Sequence, residues 1–345
     1  SIWRSFAGLI GSCAVFSFFA LQGKIFGYTS SPISGDPLFP LSSNFSTTQY
    51  HMGINFFILL ITTCFLFYKI SPEKSRALFF QLRPERLFSF LIFGILCFLG
   101  AQSGDSAYFF NFLLGFGLFI FFLFYAALSN DAADLAIDKI SNPKRPFAKG
   151  IFTAKEMKIL QGIILGIIII LVLIIDSMPI LILTAINIGL SILYSIFRVR
   201  KFLFSHLIAA LGESTVVLYG YFVQAPTASS APVDIWILFF AVFVFFALFL
   251  PVNDLKDFAG DKKEKVRNFL TVFGWRKGKT LTAISVFFAF VFFAFIMGSP
   301  LFFALSIIFA GLGAYFVVYY ERIGERASYI NFLVFIVLFL LTNFI

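Results

Sequence analysis

Charge is scarce in this chain. Asp, Glu, Lys and Arg make up 12% of the 345 residues, against about 25% in an ordinary soluble domain, which excludes a water-soluble globular protein. Cysteine and histidine are scarcer still. Cys13, Cys64 and Cys97 all lie in apolar stretches, with neither metal-ligand nor disulfide-framework spacing. His51 and His206 stand isolated and are given no ligand role. No recognised nucleic-acid module accompanies the formal charge of +9. The basic excess is therefore read as the loop Lys and Arg of a membrane protein, with no nucleic-acid partner.

Apolar residues are what is abundant, at 60% of the chain, and 54 of them are Phe. These Phe are expected to be lipid-facing and pocket-lining. A membrane-crossing helix needs about 20 mostly apolar residues. Eleven stretches qualify, near 6–26, 50–69, 86–102, 107–128, 157–175, 178–197, 203–223, 234–252, 279–298, 300–319 and 327–345. The first is read as a retained helix and not a signal peptide, because no small-residue cleavage site is evident. Only helices and closed barrels span lipid, and unbroken apolar runs lack the alternation of barrel strands. The expected fold class is therefore all-α, a polytopic membrane helical bundle with the lipid bilayer as its solvent.

Threading eleven spans from a cytoplasmic N-terminus puts 70–85, 129–156, 198–202, 253–278 and 320–326 inside. Of the 26 Lys and Arg, only Lys24 then falls on the outer side. The positive-inside rule thus predicts a multi-pass protein of the cell inner (cytoplasmic) membrane. Glu213 alone among ionisable residues lies well inside a predicted span, so an ion-coupled transport path has little support.

The few aspartates are concentrated. The chain has ten, and six form two copies of N-D-x-x-D-x-x-x-D: Asn130-Asp131-Ala-Ala-Asp134-Leu-Ala-Ile-Asp138 and Asn253-Asp254-Leu-Lys-Asp257-Phe-Ala-Gly-Asp261. Spacing of i, i+3, i+7 puts three carboxylates on one helix face. Each copy follows a predicted span, four spans separate them, and basic residues follow both, as in a duplicated four-helix unit. Both copies fall on the cytoplasmic side. Asp oxygens without nearby His or Cys select Mg²⁺, Mn²⁺ or Ca²⁺ over zinc. Two such faces, with interleaved Lys and Arg, suit a diphosphate leaving group bound through metal.

At these residues the chain resembles the UbiA superfamily of intramembrane prenyltransferases, from about residue 79 to 345. Arg83-Pro84 resembles the family's opening Arg-Pro. Asp138-Lys-Ile-Ser-Asn-Pro-Lys-Arg145-Pro-Phe-Ala-Lys149-Gly150 is similar to its D-x-x-N-x-P-x-R-P-x-x-x-G stretch, with Asn and Pro adjacent here. Tyr194-Ser195 followed by Arg200-Lys201 resembles its Tyr-Ser…Lys segment, and Asp257-Phe-Ala-Gly-Asp261 its second acidic motif. The resemblance implies a nine-helix UbiA-like core over 76–345. Residues 1–75 would then be a two-helix N-terminal extension, its helices joined by a polar loop at 27–49.

Chemistry and resemblance together assign roles. Asp131, Asp134, Asp138, Asp254, Asp257 and Asp261 would hold Mg²⁺ on an allylic prenyl diphosphate and serve catalysis. Asn130 and Asn253 would orient or ligate. Arg145, Lys149, Lys201 and Arg267 are candidate phosphate contacts, Tyr194 would face the allylic cation, and Arg83 would hold an anionic acceptor. The expected reaction is Mg²⁺-dependent prenyl transfer to a membrane-soluble or amphiphilic acceptor, by default an aromatic ring of the quinone-precursor kind. Two alternatives stay open: phosphoribosyl or similar sugar transfer from a diphosphate to polyprenyl phosphate, and a non-enzymatic lipid-diphosphate binding or transport protein.

Overall fold

The computed structural model describes residues 47–81, 107–197, 204–225, 228, 230–297, 300–320 and 324–344. The expected spans near 6–26 and 86–102, most of the 27–49 loop, and Arg83 and Lys201 lie outside the described residues. Among the described residues there is no strand. The helices in chain order are α1 (Thr47–Ile70), α2 (Pro72–Gln81), α3 (Ala107–Ala133), α4 (Leu135–Ser141), α5 (Ala154–Ile175) and α6 (Met178–Phe197). They continue with α7 (Phe204–Gln224), α8 (Val233–Phe249), a 3₁₀ turn at Leu250–Asn253, α9 (Asp254–Lys263), α10 (Phe269–Met297), α11 (Pro300–Tyr319) and α12 (Gly324–Phe344).

Each expected span that falls on described residues is helical. Eight candidate spans are long and apolar enough to cross a membrane. The segment of α12 is not one of them, and its first turn carries Glu325 and Arg326. Local sequence sets several ends. Thr153 and Glu156 form a reciprocal capping box at the start of α5, which satisfies two amides that have no partner within the helix. Pro251 sits in the 3₁₀ turn that links α8 to α9. Gly274 interrupts α10 with φ 78°, ψ 163°, a conformation that favours glycine.

Two buried cores divide the bundle. The first joins α3, α5, α6 and α7 around Leu114, Leu118, Ile168, Leu171, Ile180 and Leu218. The second joins α8, α10, α11 and α12. Helix α7 packs on α8 and connects them. This division fits a repeated four-helix unit. Helix α1 docks on the first core: Phe56 is buried there, and Phe57 lies against Gly117 of α3. Lys74 of α2 pairs with Glu156 of α5 at 2.6 Å.

The second core corrects the expectation for phenylalanine. Phe245 stacks on Phe332 at 4.5 Å and Phe302 on Phe335 at 4.7 Å, while Phe290 meets Phe335 edge-on at 4.9 Å. All of these are fully buried. Only the exposed set, such as Phe240, Phe288 and Phe295, suits a lipid-facing role. In lipid there is no hydrophobic drive to bring helices together, so close dispersion contact has to do it. Flat rings supply a large contact area in offset and edge-to-face pairs.

Candidate active site

The first acidic motif does not ride one straight helix. Helix α3 ends at Ala133, Asp134 adopts φ −93°, ψ 7°, and α4 begins at Leu135. The amide ladder nevertheless continues across the bend. Asp134 N donates to Asn130 O, and Asp138 N to Asp134 O, both at 2.8 Å. The second motif starts in the 3₁₀ turn with Asn253 and runs along α9 with Asp254, Asp257 and Asp261.

The two motif helices pack directly on each other. Gly260 makes this possible, because a Cβ there would lie 2.7 Å from Ile137 O and 2.8 Å from Ser141 Oγ. Ser141 bridges the helices. Its Oγ accepts from Gly260 N at 2.8 Å and donates to Asp257 O at 3.1 Å. Asn142 Nδ2 donates to one carboxylate of each motif, Asp138 Oδ1 at 3.1 Å and Asp257 Oδ1 at 2.5 Å.

All six motif aspartates are buried, with exposures between 0% and 8%. Arg145 Nη1 donates to Asp138 Oδ1 and lies 3.8 Å from Asp131 Oδ1. Asn268 Nδ2 donates to Asp261 Oδ2 at 2.8 Å. His206 Nε2 lies 3.2 Å from Asp254 Oδ2. Burial pushes the Asp138 carboxyl above the usual carboxylate range. Arg145 opposes this, Asp131 and Asp257 reinforce it, and the net direction is upward. Burial alone would lower the Arg145 guanidinium, but Asp131, Asp138 and Asp257 outweigh it and raise it further.

Among the described residues no three His, Cys, Asp or Glu are gathered into a ready-made metal cage. The donor set still fits a hard divalent cation. It consists of buried carboxylates in excess of their local cation, with Asp131 and Asp138 sharing Arg145. Mg²⁺ demands little preformed cage, since it keeps waters and uses one or two carboxylates together with substrate phosphates.

The cluster opens onto a chamber with about 1200 Å³ of empty space, counting its open mouth. Asn130, Arg145, Asn253, Asp254 and Asp257 line its polar end, and Leu123, Leu190, Ile208 and Leu250 its apolar walls. Tyr194 also lines it. Tyr329 OH donates to Asn253 Oδ1 at 3.2 Å. Lys149 and Arg267 are exposed, and neither is on the chamber lining. Both lie in the basic loops after the motifs, where water stabilises a cation better than the chamber would.

Several residues of this site were given no role in the sequence, among them Asn142, Asn268, Lys256 and His206. Asn142 and Asn268 hold one aspartate each or more, and both sit in the basic runs downstream of the motifs, which was a usable signal. Lys256 lines the chamber and hydrogen-bonds Glu325 of α12. Its place inside the second motif was legible, but its partner was not. His206 lines the chamber beside Asp254. The expectation that it stands alone is corrected, since 48 positions of chain separation vanish when α7 packs beside the 3₁₀ turn.

Comparison with known proteins follows the same lines. A profile of the UbiA prenyltransferase family matches residues 88–341. The apo structure of a UbiA homologue from Aeropyrum pernix K1 aligns with TM-score 0.57 at 16% identity, covering 76% of this chain and 98% of that one. A UbiA homologue from Archaeoglobus fulgidus bound to GPP and Mg²⁺ aligns with TM-score 0.53 at 15% identity, covering 76% and 99%. A structure of digeranylgeranylglyceryl phosphate synthase aligns with TM-score 0.51 at 23% identity, covering 77% and 99%. No curated protein matches the sequence. These structures share the fold of this chain. With the family profile spanning most of its length, this multi-pass membrane protein belongs to the UbiA prenyltransferase family.

Proposed function

We propose that this protein moves a prenyl group from an allylic diphosphate to an aromatic acceptor of the quinone-precursor kind, with Mg²⁺ as cofactor. One observation carries the reading: the α3–α4 bend and α9 bring six buried aspartates together beside an apolar-walled chamber, whose polar end Asp254 and Asp257 line. The A. fulgidus homologue bound to GPP and Mg²⁺ supports the donor class.

Asp131, Asp134, Asp138, Asp254, Asp257 and Asp261 would hold the metal, which when bound neutralises charge on the diphosphate oxygens. Asn130 and Asn253 orient the donor head at the chamber mouth. Arg145, which lines the chamber beside Asp131 and Asp138, would contact the phosphates. The apolar walls take the prenyl tail and exclude water, so the allylic centre meets the acceptor and is not hydrolysed. Tyr194 faces that centre through its ring. Lys149, Lys201 and Arg267 serve as loop cations that draw the anionic donor to the membrane face. Arg83 serves the acceptor end.

The basic loops support a cytoplasmic opening in the inner membrane. The UbiA-like core is assigned to 76–345 and the two-helix extension to 1–75. The reading is tested with purified protein in nanodiscs, supplied with geranyl diphosphate and a phenolic acceptor. Prenylated product should form with Mg²⁺, vanish in excess chelator and return when Mg²⁺ is restored. Full activity in chelator would overturn it.

A further inference from the structure

The third aspartate of each acidic motif has a partner at the same offset. In the first motif, Arg145 stands seven residues after Asp138 and donates to its carboxylate. In the second, Asn268 stands seven residues after Asp261 and donates to its carboxylate at 2.8 Å. The repeat thus keeps the place of the partner and changes its chemistry. Arg145 is a cation and offsets the charge of Asp138. The Asn268 amide orders a carboxylate and leaves its charge in place.

The loop between α9 and α10 is built to deliver that amide. Helix α9 ends at Lys263, and Lys265, at φ 57°, turns the chain back. Val266 N then donates to the backbone carbonyl of Asp261 at 2.9 Å, and the Val266 side chain is buried. Asn268 precedes α10 and caps it. Its Oδ1 accepts from Thr271 N at 2.9 Å, and its own N donates to Thr271 Oγ1 at 2.9 Å. Thr271 Oγ1 donates onward to Val266 O at 2.6 Å. Asp261, Val266, Thr271 and Asn268 therefore form a closed ring of hydrogen bonds. Gly278 gives the first turn of α10 room to fold against the helix behind it, since a Cβ there would lie 2.6 Å from Leu270 Cα and from Phe269 O.

This ring settles what Asn268 presents. Its Oδ1 is taken by Thr271 N, so the atom facing Asp261 is Nδ2, and flipping the amide would lose both bonds. Asn268 is 3% exposed and Asp261 is fully buried, so water does not compete. Asp261 is held at both ends, its carbonyl by Val266 and its carboxylate by Asn268. Capping alone does not require an amide here, because Ser or Thr caps a helix about as well. Only a side chain with both an acceptor and a donor arm serves Thr271 N and the Asp261 carboxylate together.

We infer that Asn268 is the positioning residue of the second motif, orienting the Asp261 carboxylate for the divalent cation without discharging it. This rests on the metal-dependent reading above. A hydrogen bond from a neighbouring group fixes the plane of a ligating carboxylate, and removing such a group weakens the metal site although no ligand is lost.

The test uses full-length protein in phosphatidylcholine nanodiscs, with Mn²⁺ as the probe. Mn²⁺ suits the same oxygen ligands as Mg²⁺, and its free form is read by electron paramagnetic resonance. Asn268→Ala and Thr271→Ala each break the ring, but only the first removes a bond to Asp261. Both should melt earlier than the wild type. The Mn²⁺ dissociation constant should rise at least ~10-fold in Asn268→Ala and less than about threefold in Thr271→Ala, since the orienting group is lost only in the former. Asn268→Ser restores a cap but ends one bond short of Asp261, so it should recover most of the melting temperature and none of the Mn²⁺ affinity. Wild-type Mn²⁺ affinity in Asn268→Ala, or equal weakening in Thr271→Ala, overturns the inference. If Asn268→Ala does not fold, wild-type affinity in Asn268→Ser overturns it alone. Mg²⁺-dependent product formation from geranyl diphosphate is scored separately. Product formation with Mn²⁺ binding indifferent to Asn268 sinks the positioning role and keeps the reaction. Mn²⁺ binding that depends on Asn268, without product from a phenolic acceptor, keeps the role and sinks prenyl transfer.

Discussion

Gly260→Ala is the most informative single perturbation of this site, because it adds one methyl group where the two motif helices touch. The new Cβ would meet Ile137 O at 2.7 Å, Ile137 Cγ2 at 2.8 Å and Ser141 Oγ at 2.8 Å. The first of these is backbone of α4 and cannot swing aside. Ordinary contact begins near 3.4 Å, so α4 and α9 must separate by roughly 0.7 Å. Overpacking of this kind costs about 1–3 kcal/mol. The bond from Gly260 N to Ser141 Oγ stretches with it, a further ~1 kcal/mol. Asp138 rides on α4 and Asp257 and Asp261 on α9, so the separation also spreads the two halves of one site. Misplacement approaching 1 Å can cost ~10²-fold in rate. The expected result is a folded protein, a melting temperature lowered by several degrees, and Mg²⁺-dependent prenyl transfer down ~10²-fold. Steady-state product formation and thermal unfolding in nanodiscs measure the two parts. Adding Ser141→Ala removes one of the three clashes but not the backbone one, so rescue should be partial. Wild-type turnover in Gly260→Ala would refute the claim that this glycine sets the approach of the two motifs.

Further predictions follow from the same geometry. Asp131→Asn and Asp254→Asn should each lower turnover by ~10²–10³-fold, the usual loss when a transition-state charge contact is removed, and the double variant should be little worse because residues acting as a unit are non-additive. Near-normal turnover in Asp254→Asn with Asp131→Asn inactive would show that the second motif is not part of the site. Arg145→Gln leaves Asp131 and Asp138 without their shared cation in a buried setting; breaking such a pair costs about 3–5 kcal/mol, so the metal-free protein should melt earlier and Mg²⁺ should restore more stability to it than to the wild type. A single cysteine placed near Gly150 should react with an impermeant thiol reagent from the cytoplasmic side only; labelling from outside would invert the proposed topology.

Much of this protein was determined by its sequence. Unbroken apolar runs such as 157–175 force helices, because a backbone in lipid has to satisfy its own hydrogen bonds. The two N-D-x-x-D-x-x-x-D copies announced a paired acidic site through composition alone, being six of the ten aspartates. Tertiary structure decided the rest. Periodicity could not show that Asp134 bends the first motif, because the bend preserves its register. Nor could it separate Phe245, Phe290 and Phe335, which fill the second core, from Phe240 and Phe295, which are exposed: every face of these helices is apolar, so the pattern does not tell core from lipid. The contacts of His206 with Asp254, Lys256 with Glu325 and Asn187 with Thr215 join residues 28 to 69 positions apart. A polar side chain in such a helix has no meaning until packing assigns it a partner, and only the packing of α7 against α6 and the 3₁₀ turn, and of α9 against α12, did so.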